Sequence, residues 1–137
     1  MPRLLADGPR VLGAPKGRPT SRRFPGRMKP RIKVWVAVGP ELKFGEGRAR
    51  LLERIGERGS LQKAAGEFEM SYRNAWGYLG ELERAAGFKF LERTPGGGPQ
   101  SGMRLTEDAK RFLAQYWKFH RAVDRAAKQE FARTFGG

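Results

Sequence analysis

Ser71, Tyr72, Arg73 and Asn74 carry the side chains of this chain best suited to reading another molecule. A guanidinium can donate two parallel hydrogen bonds to guanine O6 and N7, and a carboxamide can pair with adenine N6 and N7. Such contacts require the side chains to be presented together from one helix end. Residues 60–76, SLQKAAGEFEMSYRNAW, supply that setting. Ser60 is a good N-cap, and Leu61, Ala64, Ala65 and Phe68 then recur at the spacing of one apolar helix face. Met70 breaks the face, and Ser71 can cap a second helix whose Ala75, Trp76, Leu79, Leu82 and Ala86 follow the 3.6-residue period. Two short helices joined by a tight turn, with alanines where they must cross, predict a helix-turn-helix. That motif lays the first residues of its second helix in the major groove. Gln62 and Lys63, in the first turn of the preceding helix, suit phosphate contacts that fix orientation. The expected ligand is double-stranded DNA.

Composition agrees with a polyanionic partner. The chain has 137 residues, a formal net charge of +14 and a pI near 11.1. Counterion release from phosphates would then govern affinity. Residues 1–30 hold eight basic residues against one acid, and the rest holds twenty against thirteen. The ordered part is thus moderately basic, and its acids are expected to sit away from a DNA face. The length allows one core. No cysteine is present, which excludes disulfides, thiolate metal sites and cysteine nucleophiles. The longest apolar run, Val34 to Val38, is far too short for a membrane span, and Asp7, Gly8 and Pro9 interrupt any signal-like core. A cytoplasmic, nucleoid-associated protein is expected.

The elements that must position the motif can be placed along the chain. Residues 1–27 contain five of the nine prolines and few bulky apolar side chains. Residues 1–30 are therefore expected to form a disordered basic arm. That arm either strengthens DNA contact or, if Met28 is the true start, lies partly upstream of the native protein. Residues 31–38, RIKVWVAV, alternate as a strand with Ile32, Val34, Val36 and Val38 on one face, and a polar loop is expected after Gly39 and Pro40. A helix from Gly47 places Ala49, Leu51, Leu52 and Ile55 on one side and ends at Gly59. FKFLER (88–93) and MRLT (103–106) flank a tip, TPGGGPQSG, in which six of nine residues are glycine or proline. This predicts a β-hairpin wing. Arg93, Gly97, Gln100 and Arg104 are its expected DNA contacts, the glycine permitting close backbone approach.

From Thr106 a long helix is expected, with Glu107 and Asp108 in its first turn, where the macrodipole favours acids. Its apolar stripe includes Phe112, Tyr116, Phe119, Val123 and Phe131. At 1.5 Å per residue it would extend ~42 Å, more than a core with a radius of gyration near ~13 Å can cover. A symmetric partner is the simplest supplier of the missing surface, so these five residues are the expected dimer interface. The fold class read here is mainly α with a small β wing: a winged helix-turn-helix over 31–106, followed by a C-terminal dimerisation helix over 107–137.

Other chemistry is poorly supported. Gly96–Gly98 lack the Gly-Lys-Ser/Thr that opens a nucleotide-binding helix. His120, the one histidine, has no second imidazole or thiol with which to hold zinc. The glutamates are mostly spaced three or four residues from Arg or Lys, as in ordinary helix ion pairs. No nucleophile–base arrangement is evident, and neither enzyme activity, cofactor nor small-molecule ligand is expected. Trp76 shares the stripe of Leu79 and Leu82 and is assigned to the core, while Trp35 and Trp117 are assigned to packing or a dimer contact.

MSYRNAW at 70–76, the following ELERAAG, and FLERTPGGGPQSGMRLTEDAKRFL together resemble the DNA-binding domain of ModE-type, molybdate-responsive regulators, a LysR-like winged helix. The resemblance runs from about residue 31 to about residue 123. It implies DNA binding and dimerisation. Glu69 stands where such turns often carry glycine, and Ala109 replaces the glycine usual after Leu105-Thr106. Family members continue into oxyanion-binding domains, and with the chain ending at Gly137 molybdate sensing is not implied. The leading expectation is a homodimeric, sequence-specific transcription regulator without a ligand-sensing domain of its own. The alternatives are a sequence-independent, architectural nucleic-acid binder and a winged-helix adaptor for a separate sensor protein.

Overall fold

A computed structural model describes residues 26–95 and 102–136. The elements run β1 (Val36–Val38), β2 (Leu42–Phe44), α1 (Glu46–Arg58), α2 (Leu61–Glu67), α3 (Tyr72–Ala86), β3 (Leu91–Arg93), β4 (Met103–Leu105) and α4 (Glu107–Phe135). The strands form two separate antiparallel pairs, β1 with β2 and β3 with β4. Residues 31–125 make one compact unit. In the second unit the described residues are 26–30 and 126–136, where Phe131 and Phe135 stack at 4.9 Å on the last turns of α4.

The core of the 31–125 unit follows the expected helical stripes. Ala49, Leu51, Leu52 and Ile55 of α1, Leu61, Ala64 and Ala65 of α2, and Ala75, Leu79 and Leu82 of α3 are all buried. Ala64, Ala65 and Ala75 are essentially inaccessible, which lets α2 and α3 pack with little between them. From α4 come Ala109, Leu113 and Tyr116. Phe44 is fully buried and meets Phe112 and Tyr116 edge-to-face at 4.9 and 5.2 Å.

Two expectations need correction here. The strand expected over 31–38 is paired only at Val36–Val38, and Ile32 is 42% exposed. The expected polar loop after Pro40 contains β2, which pairs Val36 with Phe44 and Val38 with Leu42. Gly39 at φ 64° starts the three-residue turn that closes this hairpin. A three-residue strand such as β2 is too short to show alternation in its sequence.

The turn between α2 and α3 is closed by backbone hydrogen bonds. Met70 N–H donates to Ala65 C=O at 3.0 Å and Glu69 N–H to Gly66 C=O at 3.3 Å. This is the six-to-one and five-to-two pair of a Schellman motif, which needs a left-handed residue at its centre. Glu69 takes that conformation at φ 57°, so the motif keeps its geometry without glycine, at a strain of ~1 kcal/mol.

α4 is fastened to α1 by polar side chains. His120 Nε2 lies 2.5 Å from Glu46 Oε2, and Trp117 Nε1–H donates to Glu53 at 2.7 Å. Tyr116 O–H donates to Val34 C=O at 2.8 Å. The hydrogen bond from His120 holds the Glu46 carboxyl below its ordinary range; partial burial opposes this, and the His120 and Arg50 charges add to the lowering.

Two tests follow from these contacts. Glu69→Gly should raise the urea unfolding free energy by up to ~1 kcal/mol by removing left-handed strain, while Glu69→Val should lower it. The reverse order would show that this turn is unstrained. A carboxyl lowered by folding stabilises the protein above its unfolded pKa and loses that contribution as pH falls through the folded one. Glu46→Gln should therefore flatten the drop in melting temperature between about pH 5 and about pH 3, as read by circular dichroism.

Candidate nucleic-acid interface

The sequence-predicted recognition residues come together at one end of α3. Ser71 takes an extended conformation, with φ −71° and ψ 153°, and its Oγ accepts from Asn74 N–H at 3.0 Å. Its hydroxyl therefore first serves the helix end, a cap worth ~1 kcal/mol. Tyr72, Arg73 and Asn74 are exposed around it. Among the described residues, the Arg73 guanidinium has no ion-pair partner and the Asn74 carboxamide no hydrogen-bond partner. Ser60 caps α2 in the same way, accepting from Lys63 N–H at 3.1 Å, and leaves Gln62 and Lys63 exposed.

Arg48 braces this assembly from α1. Its guanidinium lies 4.6 Å from the Tyr78 ring centre, and Nη1 donates to Met70 Sδ at 3.7 Å. One side chain thus touches both the turn and α3. Tyr78 O–H donates to Lys43 C=O at 3.0 Å. Burial pushes its phenol up to about 12; the Arg48 charge opposes this and Glu81 adds to it. Tyr78 therefore stays a neutral donor at physiological pH.

The wing is anchored at both ends of its base. Met103 N–H donates to Gly59 C=O at 3.0 Å and Thr94 N–H to Gly102 C=O at 2.8 Å. A Cβ on Gly102 would run into the Gly59 carbonyl oxygen, so only glycine allows this backbone approach. On the other side, Thr106 Oγ1 donates to Lys89 C=O at 2.7 Å and accepts from Ala109 N–H at 3.0 Å. Ala109 itself is fully buried. Glu83 accepts from Phe90 N–H at 2.8 Å, which joins α3 to the same strand entry.

Charge is distributed unevenly over these elements. Glu67 takes Arg54 at 2.9 Å and Arg58 at 2.7 Å, tying α1 to α2. Arg104, expected to meet phosphate, faces Glu92 across the wing and pairs with it at 2.9 Å. Arg93 faces Met103 instead and has no acidic partner among the described residues. Glu69 and Glu92 are exposed, at the turn and on the wing. The expected contacts Gly97 and Gln100 lie outside the described residues, as does the arm over residues 1–25.

Trp76, assigned to the core from its stripe, is instead 43% exposed. The buried face of α3 centres on Ala75, Leu79 and Leu82, and position 76 falls at its edge. Trp35 is 56% exposed, with its indole against Gly45 and Lys43 Nζ 3.9 Å from its ring centre. Of the expected interface residues, Tyr116 is buried in the core and Phe112 packs between Phe44 and Phe90; Phe119 is 49% exposed. Val123 and Phe131 are half-buried. No cluster of metal-ligating side chains occurs among the described residues, and none of the helices described is long and apolar enough to cross a membrane.

Residues 47–110 match the bacterial regulatory helix-turn-helix proteins of the lysR family. The chain is 35% identical over 95 residues to the transcriptional regulator ModE of Haemophilus influenzae, covering 69% of this chain and 37% of that protein. It is 30% identical over 114 residues to the molybdenum transport protein ModE of Azotobacter vinelandii, covering 80% and 40%. With the molybdenum-pterin-binding protein MopA of Rhodobacter capsulatus it shares 32% identity over 84 residues, covering 61% and 32%. The chain thus spans about a third to two fifths of the length of these relatives. The capped α3, the tethered wing and these similarities agree: residues 47–110 carry a LysR-type helix-turn-helix domain, and the chain is similar over part of their length to the ModE and MopA proteins.

Proposed function

We propose that this chain is a sequence-specific DNA-binding transcription regulator that acts as a homodimer. The carrying observation is the exposed, unpaired Arg73 beside Asn74 at the capped start of α3. In this reading α3 enters the major groove, and Tyr72, Arg73 and Asn74 face base edges while Ser71 holds the helix end. Gln62 and Lys63 meet phosphate, and the wing, through Arg93 and the tip bearing Gly97 and Gln100, follows the flanking backbone. Residues 31–106 form the DNA-reading part, and the helix Glu107–Phe135 links to the partner.

Dimerisation is supported by an apolar groove of about 490 Å³ lined by Val36, Val38, Ala85, Phe88, Phe112 and Phe119, among others. A two-fold partner laying Phe119 into this groove would bury surface that one copy leaves wet. Two recognition helices would then address half-sites about one or more helical turns apart.

Selection of duplexes from a random pool, with a shuffled control, is the primary test. A regulator prefers its selected site by about 10³-fold or more, whereas equal affinity for scrambled duplexes would identify a sequence-independent binder. Arg73→Ala should abolish that preference with the fold intact. Lys63→Ala and Arg93→Ala should each reduce the slope of log affinity against log salt by about two, one for each subunit of the dimer. Arg104→Ala should reduce it less, because Glu92 already offsets its charge. Phe119→Asp should give a monomer by analytical ultracentrifugation; a dimer unchanged by this substitution would place the interface elsewhere.

A further inference from the structure

We propose that Trp76 is a specificity-determining residue that packs its indole against the 5-methyl group of a thymine in the major groove. This rests on the reading that α3 enters that groove, and it adds a base reader beyond the polar residues at the helix start.

The argument begins from an uncompensated cost. Trp76 is 43% exposed and Tyr72, one helical turn earlier, is 49% exposed. Their rings meet edge-to-face at 6.1 Å with an interplanar angle of 83°, so each stiffens the other without covering it. Neither the indole N–H of Trp76 nor the phenol O–H of Tyr72 has a hydrogen-bond partner among the described residues. The chain's other tryptophans are occupied: Trp117 donates to Glu53, and Trp35 lies on Gly45 beneath Lys43. Only the indole on α3 is left without such a use.

Its surroundings identify the occupant. Arg73 stands three residues before it on the exposed side of α3, and Gly77 follows it, where an added Cβ would meet nothing within 4 Å. The indole edge is thus unscreened beside an unpaired cation. A protein partner matched to this charge would need an acidic surface with an apolar slot. A DNA major groove offers both a phosphate wall for the cation and, among the bases, one exposed methyl group. Apolar side chains recognise thymine through that methyl, because no other common base presents one. Trp76 is placed to do this about one turn beyond Arg73, so the contacted thymine is one to a few base pairs from the base Arg73 reads.

The test separates this contact from the reading beneath it. The full-length protein first selects duplexes from a random pool. Each thymine of the selected site is then replaced singly by uracil, which removes only the methyl. Wild type should lose about 4-fold in affinity at one such position, the change expected from one buried methyl group. Trp76→Ala should bind the thymine and uracil versions of that position equally, and Trp76→Phe should keep part of the difference. Circular dichroism confirms that each variant is folded; a solvent-exposed site predicts that they are. If wild type selects a site and depends on Arg73, yet no uracil replacement weakens it, the Trp76 contact is overturned while α3 reading stands. If Trp76→Ala weakens every duplex equally, with the uracil effect retained, Trp76 acts through the fold and the proposal fails. If no site is selected, the underlying reading fails as well.

Discussion

The left-handed backbone at Glu69 is the constraint on which the rest of the molecule depends. With φ at 57° the chain closes α2 by two backbone hydrogen bonds and turns at once toward Ser71, whose extended conformation opens α3. No side chain could enforce that reversal alone. The residues around it only secure what the turn has set: Ala64, Ala65 and Ala75 let the two helices meet, and Arg48 reaches from α1 to both Met70 and Tyr78. The direction in which Arg73 and Trp76 point is therefore a property of the backbone two to seven residues earlier. Leaving glutamate rather than glycine there sacrifices ~1 kcal/mol, an amount the buried helix pair can absorb.

A second backbone approach does for the wing what the turn does for α3. Gly59 ends α1 in the left-handed region at φ 69°, and its carbonyl accepts from Met103 while Gly102 passes too close for a side chain. The α1–α2 junction and the wing base are thereby one structural joint. Because Thr106 caps α4 while bonding to Lys89, the exit from the wing is fixed by the entry to the long helix. Recognition helix, wing and α4 cannot be reoriented independently within the 31–125 unit.

How much of this was legible in the sequence depends on the length of each signal. Helices α1, α3 and α4 span several turns, so their apolar stripes could be read directly, and the buried residues Leu52, Leu79, Leu82 and Tyr116 lie on those stripes, although Trp76 and Phe119 at their edges are exposed. The hairpin β1–β2 could not be read, because three-residue strands show no period and Phe44 is recognisable as core only once Phe112 and Tyr116 are seen beside it. Trp76 misled for the opposite reason. It lies within the width of a permissible helix stripe, and only the position of α2, set by the Glu69 turn, decides that the stripe ends at Ala75. The Arg104–Glu92 pair was likewise hidden, since the hairpin register that places them opposite each other is not fixed by a glycine-rich tip.

The placement of acids explains why a moderately basic domain can still present a focused cationic surface. Glu67 is held by Arg54 and Arg58, Glu46 by His120 and Arg50, and Glu53 by Trp117, so these carboxylates serve the joints between α1, α2 and α4. Lys63, Arg73 and Arg93, by contrast, have no acidic partner among the described residues. An exposed ion pair such as Arg104–Glu92 is worth little to stability, because solvent screens it and two side chains must be ordered. Its larger effect is on the outward field, where the pair presents almost no net charge to an approaching phosphate. Unpaired cations retain their full charge until a polyanion arrives and releases its counterions. The acidic residues thus shape the surface by deciding which arginines remain free, and Arg73 is left free at the position where a base edge would be read.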